Sequence, residues 1–104
     1  MKAIRRNGGY STDTANNYID SKQPIYSLST ELELQHKWQD NRPTDEVIGY
    51  RAWFSQEGLE PFAVKFTSQI KLPSYLSKVR LDSLEACEVR NKVYFKADSL
   101  KEVK

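Results

Sequence analysis

Ile25-Tyr26-Ser27-Leu28-Ser29-Thr30-Glu31-Leu32-Glu33-Leu34-Gln35-His36-Lys37-Trp38 alternates from end to end. Even positions carry Tyr26, Leu28, Thr30, Leu32, Leu34, His36 and Trp38, while odd positions carry Ser27, Ser29, Glu31, Glu33, Gln35 and Lys37. Successive side chains of a strand point to opposite faces, so this period of two predicts a half-buried β-strand. Glu and Leu between Thr30 and Trp38 also suit a helix, but the unbroken alternation decides for strand. The run is long for one flat strand and predicts a bend or bulge midway.

Beyond it, Gln39 to Glu46 clusters Asn, Pro and Asp and reads as a loop. Val47 to Ser55 is a second strand, Gln56 to Pro61 a turn, and Phe62 to Thr67 a third strand, which together make an antiparallel meander. Pro73 interrupts the pattern between Gln69 and Leu76, where Leu72 to Leu76 supplies one short helical turn. Strand character resumes at Lys78–Leu81 and continues over Leu84–Val89. Arg90-Asn91-Lys92 is a tight turn with Asn91 suited to a left-handed conformation. Val93–Ala97 closes the domain, and Asp98–Lys104 is a short polar tail with a helical turn at most. About five strands in roughly 80 residues, broken between the third and fourth, predict an all-β fold: a small five-stranded OB-fold-like barrel. An SH3-like barrel and a small β-sandwich share that strand count.

Residues 1–23 are rich in Asn, Ser, Thr, Gly and Asp and show no sustained periodicity. They read as a flexible polar N-terminal arm ahead of a barrel domain over 24–104. The arm's apolar residues, Ile4, Tyr10, Tyr18 and Ile19, are available to dock on a neighbour or on the domain itself.

At 104 residues, 38% hydrophobic and 29% charged, the chain has the composition of one soluble globular domain. No apolar run approaches the ~18 residues of a membrane span, and no secretory signal follows Met1. One cysteine, Cys87, cannot form an internal disulfide, which fits a cytoplasmic protein. The net charge of +2 is unevenly spread: residues 1–23 carry +2, residues 24–60 carry −4 and residues 61–104 carry +4. A basic second half therefore follows an acidic first hairpin, and a local positive field is compatible with a modest total.

The functional pattern lies in three strands. If the more apolar parity points inward, Ile48, Tyr50, Ala52, Phe54, Phe62, Val64, Phe66, Val93 and Phe95 fill a core. The opposite parity then displays Arg51, Trp53, Lys65, Tyr94 and Lys96. Flat rings among cations suit a single nucleic-acid strand, whose bases stack on rings while its phosphates follow positive charge. Trp53 and Tyr94 are the candidate stacking platforms, and Arg51, Lys65 and Lys96 the candidate phosphate contacts. Lys78, Arg80, Arg90 and Lys92 extend the basic track along the last hairpin, with Lys2, Arg5 and Arg6 as weaker contacts from the arm.

Other chemistry is poorly supplied. His36 sits on the apolar parity, and with one His and one Cys there is no zinc ligand set; a satisfied, half-buried imidazole is the reading. Cys87 reads as a small core residue, because nothing beside it supplies an activating base. Glu31 and Glu33 share one strand face, as exposed faces routinely arrange. Gly8-Gly9 lacks the spacing and the Lys-Ser/Thr of a phosphate loop. No cofactor, metal or enzymatic activity is expected.

Gly49-Tyr50-Arg51, Phe62-Ala63-Val64-Lys65-Phe66, Lys78-Val79-Arg80-Leu81 and Val93-Tyr94-Phe95-Lys96-Ala97-Asp98-Ser99-Leu100 together resemble the YdcP-like family, small proteins of Gram-positive conjugative elements and plasmids. The similarity covers about residues 47–100 and is closest at the Lys-Ala-Asp-x-hydrophobic ending. The resemblance implies an OB-like fold and a role in the element's DNA processing, as a single-strand-binding or helicase-accessory protein. The long polar arm and the acidic strand with Glu31 and Glu33 depart from the family. The expected function is thus a non-enzymatic, largely sequence-independent single-stranded DNA-binding accessory protein of a plasmid, phage or conjugative element, with RNA open to the same physics. The alternative is a protein-interaction module that recruits a helicase or relaxase or self-assembles through the arm or an edge strand.

Overall fold

The computed structural model describes residues 9–103. Lys2, Ile4, Arg5 and Arg6 of the expected arm lie outside the described residues. One short helix, α1 (Thr12–Asn16), precedes eight strands: β1 (Ile25–Ser27), β2 (Glu33–Gln39), β3 (Arg42–Gln56), β4 (Phe62–Phe66), β5 (Lys78–Asp82), β6 (Glu85–Val89), β7 (Lys92–Lys96) and β8 (Ser99–Glu102). The fold is all-β. The strands form one sheet in the order β6-β7-β4-β3-β1-β5-β8, with β2 also paired to β3.

Eight strands stand where about five were expected: Ser83, at positive φ (56°), separates β5 from β6, and three further local differences reshape the strands, the first and third each adding one. First, the long alternating run breaks at residues 28–32 into β1 and β2, both antiparallel to β3. The break stays attached to β3, because Leu28 N–H donates to the Trp53 carbonyl at 2.9 Å and Ser29 Oγ accepts from Trp53 N–H at 2.8 Å. Second, the expected loop over Gln39–Glu46 is mostly strand. Asp40 and Asn41 both adopt positive φ (53° and 62°), which makes a two-residue hairpin turn and lets β3 start at Arg42. Pro43 is tolerated because β4 pairs only with Tyr50–Phe54, so no ladder needs a Pro43 N–H on that side. Third, the tail supplies β8, antiparallel to β5 with Leu81 opposite Leu100, rather than a helical turn.

Two turns also differ from expectation. Leu72–Leu76 holds a turn in which Ser77 N–H donates to the Ser74 carbonyl, with no helix. In the β6–β7 turn the positive φ falls on Arg90 (58°), not on Asn91.

Ala52, Phe54, Phe62, Val64, Phe66, Val93 and Phe95 are buried together, so the inward parity holds across β3, β4 and β7. Tyr50 is half-buried against this cluster, but Ile48 is 45% exposed. Ile48 belongs to the free end of the β2–β3 ribbon, which runs past the core. At ~3.3 Å per residue a straight strand of 15 residues would measure roughly 46–50 Å, more than the longest dimension of the molecule, 43 Å, so β3 must bend or coil.

Val79 of β5 shares the core cluster with Ala86 of β6 and with Phe95. Strands β6 and β8 would stand about 29 Å apart in a flat sheet of this order, so the sheet must curl around one core. No ladder joins β6 to β8 among the described residues, and the sheet is open.

The boundary expected at residue 23 does not mark the edge of the core. Ser11 bridges Ala86 through two backbone hydrogen bonds of 3.0 Å and caps α1, its Oγ accepting from Thr14 N–H. Ala15 and Ile19 are buried in the core, and Tyr18 packs edge-on against Phe95. Buried Gln56 ties the following segment down, accepting from Asp20 N–H and donating to the Asp20 and Gln23 carbonyls. The composition suggested an arm because its apolar residues are few; they are nonetheless placed to plug the open side of the sheet. No helix among the described residues is long and apolar enough to cross a membrane.

Candidate nucleic-acid interface

The face opposite the core is organised in rows, because residues in register on neighbouring strands stand side by side. Glu33 of β2 pairs with Arg51 of β3, Arg51 with Lys65 of β4, Lys65 with Lys96 of β7, and Lys96 with Glu85 of β6. Five charged residues therefore cross five strands in the sequence acid, base, base, base, acid. The carboxylates neutralise the two outer cations: Arg51 Nε donates to Glu33 Oε2 at 2.8 Å, and Lys96 Nζ lies 3.6 Å from Glu85. Lys65, at the centre, has no ion-pair partner among the described residues.

A second row runs beside the first. Trp53 pairs with Ala63, and the parallel register of Val64 with Phe95 carries Tyr94 to the other flank of Ala63. The methyl of Ala63 thus floors a trough between two rings whose strands stand about 10 Å apart. Arg51, Trp53, Lys65, Lys92 and Tyr94 line this cleft of ≈ 370 Å³, together with Tyr10, Gln35 and Pro61.

The Trp53 wall is held from outside. Trp53 Nε1 donates to Glu33 Oε1 at 2.9 Å, and the Arg51 guanidinium lies 5.7 Å from the indole centroid. Arg51, and then Trp53, hold the Glu33 carboxyl below its ordinary value. On the far side, Tyr10 covers Cys87, and Lys96 Nζ sits 4.6 Å from the Tyr10 ring centroid. Burial first, and then the Cys87 thiol, push the Tyr10 hydroxyl up to about 12. Gly49 makes room for Lys65: a Cβ there would meet Lys65 Cε at 2.8 Å and Gln35 Oε1 at 3.2 Å.

The structure therefore brings together five of the nine expected contact residues in one cleft and sets Lys96 beside it. Lys78 and Arg80 are not part of it. They lie on β5 and line a separate cleft of ≈ 560 Å³ with Ile19, Leu84 and Val103, because β3 and β1 stand between β5 and β4. Arg90 is exposed in the β6–β7 turn, outside the lining of either cleft. The continuous basic track along the last hairpin is thus split by sheet order.

Sequence reasoning passed over Tyr10, Glu33, Gln35, Ala63 and Glu85 as parts of this face. Ala63 was legible as the small residue of the same parity between two ring positions. The others depend on register and docking. Cys87 is buried as expected, but against Tyr10 on the outer face rather than in the core cluster. His36 is half-buried with Nδ1 enclosed and lacking a hydrogen-bond partner among the described residues, so it is not the satisfied imidazole the sequence indicated. Glu31 falls in the break before β2 and is not paired with Glu33 along one strand.

No protein-family model, no curated protein and no solved structure matches this chain.

Proposed function

We propose that the protein is a non-enzymatic, single-stranded DNA-binding accessory protein of a mobile element, largely indifferent to sequence, and that it works through the Trp53–Ala63–Tyr94 trough. In this reading the sheet serves as in an OB-like domain, with one face on the core and the other a platform. The observation that carries it is the row Arg51–Lys65–Lys96. Like charges set directly across strands destabilise a sheet, so three in succession beside a ring-walled trough make physical sense when an anion bridges them. A base entering the trough stacks on Trp53 or Tyr94 while its phosphates meet Lys65 and Lys92. RNA would bind by the same contacts, since nothing here selects against a 2′-hydroxyl.

The carboxylates at both ends of the row make the positive stretch short. Its three cations span two strand spacings, about 10 Å, room for two or three nucleotides rather than a long coated track. Fluorescence anisotropy with labelled oligothymidine tests the reading. Single strands should bind more tightly than duplex, the affinity should fall steeply with salt, and Trp53 emission should be quenched. Equal binding to single strands and duplex, or no binding to either, would overturn it.

A further inference from the structure

The β2–β3 ribbon exposes four large apolar side chains: Leu34 (52%), Trp38 (67%), Val47 (37%) and Ile48 (45%). Strand β2 pairs with β3 on one side only, and no backbone hydrogen bond joins its other edge to a described residue. An open apolar edge is a template for a further strand, and natural proteins usually blunt it with bulges, proline or charge. Here the bulges fall on β3, at Ile48 and between Val47 and Pro43, so β2 itself keeps regular alternation.

We propose that the free edge of β2 pairs with β2 of a second copy, antiparallel about a two-fold axis at His36. The strand is complementary to its own reverse. Pairing all seven residues of Glu33–Gln39 puts the axis at the central residue, His36. Leu34 then faces Trp38 of the second copy, and Trp38 faces its Leu34, giving two aliphatic–aromatic cross-strand pairs on one face. On the other face Gln35 meets Lys37 and Glu33 meets Gln39, with Glu33 diagonal to Lys37. No two carboxylates and no two lysines are set opposite. A closed two-fold dimer uses up both β2 edges, so association through this strand stops at two copies. It accounts for exposed Leu34 and Trp38, which the fold of one chain leaves uncovered. A strand addition of seven residues buries less than the ~1,200 Å² of a standard stable interface, so the dimer dissociates on dilution.

Sedimentation equilibrium of the full chain across a concentration series tests this. The wild-type mass should double with concentration. Leu34→Lys and Trp38→Glu should each raise the dissociation constant about tenfold, because the two-fold axis makes either substitution remove both Leu34–Trp38 pairs. The double variant Leu34→Lys/Trp38→Glu sets opposite charges across the axis and should recover most of the lost affinity. Both positions are exposed, so circular dichroism should show folded variants. A monomer at every concentration overturns the proposal. So does a dimer indifferent to the single variants, which uses another surface, and so does a double variant as weak as its two parents combined.

Discussion

Glu33 accepts the indole N–H of Trp53 at 2.9 Å on one oxygen while its other oxygen holds Arg51. One carboxylate from β2 thus sets the angle of the proposed stacking ring and cancels one of the cations beside it. Replacing Glu33 with Gln keeps an oxygen acceptor for Trp53 and removes the negative charge. Single-strand affinity should rise several-fold at low salt, and the log–log salt slope should steepen by about one phosphate contact as Arg51 is released. An unchanged slope in an anisotropy salt titration would place Arg51 outside the interface.

The same contact has an acid signature. Arg51 and Trp53 depress the Glu33 pKa in the folded state, so its contribution to stability is complete above the ordinary value of 4.5. It is lost as the pH falls through the lower folded-state value. The stability difference between wild type and Glu33→Gln should therefore be constant above pH 4.5 and shrink below it, as read by denaturant unfolding at stepped pH.

Tyr10 gives the opposite end of the scale. Its folded-state pKa of about 12 lies above the ordinary 10.0, so its stabilising contribution is full below pH 10.0 and is lost as the pH rises toward 12. Wild type and Tyr10→Phe should keep a fixed stability difference up to pH 10.0, and wild type should lose ground between 10.0 and about 12. Absorbance titration should show a late-ionising tyrosine that disappears in Tyr10→Phe.

Gly49 separates stability from binding. An added methyl would sit 2.8 Å from Lys65 Cε, the far part of a flexible side chain, and 3.3 Å from the Phe66 carbonyl oxygen. Gly49→Ala should cost no more than about 1–3 kcal/mol of stability while displacing the one unpaired ammonium of the charged row. Its single-strand affinity should fall by a larger factor than that of a surface control such as Lys71→Ala, measured on protein confirmed folded.

Gln56 carries the attachment of residues 20–23 to the end of β3. Its amide makes three hydrogen bonds to backbone groups, and the residue is buried. Gln56→Ala leaves those groups unpartnered and should destabilise the fold by about 1–3 kcal/mol. Chemical denaturation checks the magnitude, and an effect near zero would mean that water replaces the amide.

Much of the working face is legible in the amino-acid order alone. Alternation in Tyr50–Phe54, Phe62–Phe66 and Val93–Lys96 separates core from surface correctly because side-chain direction along a strand is a local property. It fails at Ile48, where β3 outruns the core and burial no longer follows parity. It fails again at residues 10–19, whose sparse apolar residues carry no period yet put Ala15 and Ile19 in the core and Tyr18 against it. The hairpin turn at Asp40–Asn41 is hidden inside a run of loop-forming residues, because two residues with positive φ suffice and Pro43 finds a position without a ladder partner.

The chain's own pattern determined that it is all-β and which side chains of each core strand face water, since both follow from the two-residue repeat of an extended backbone. Only the tertiary structure decided which strands lie side by side. Through that choice Lys65 was set between Arg51 and Lys96, Glu33 and Glu85 were placed at the ends of their row, and Lys78 and Arg80 were carried away to β5. Register and strand order come from contacts far apart in the chain, which no local repeat encodes.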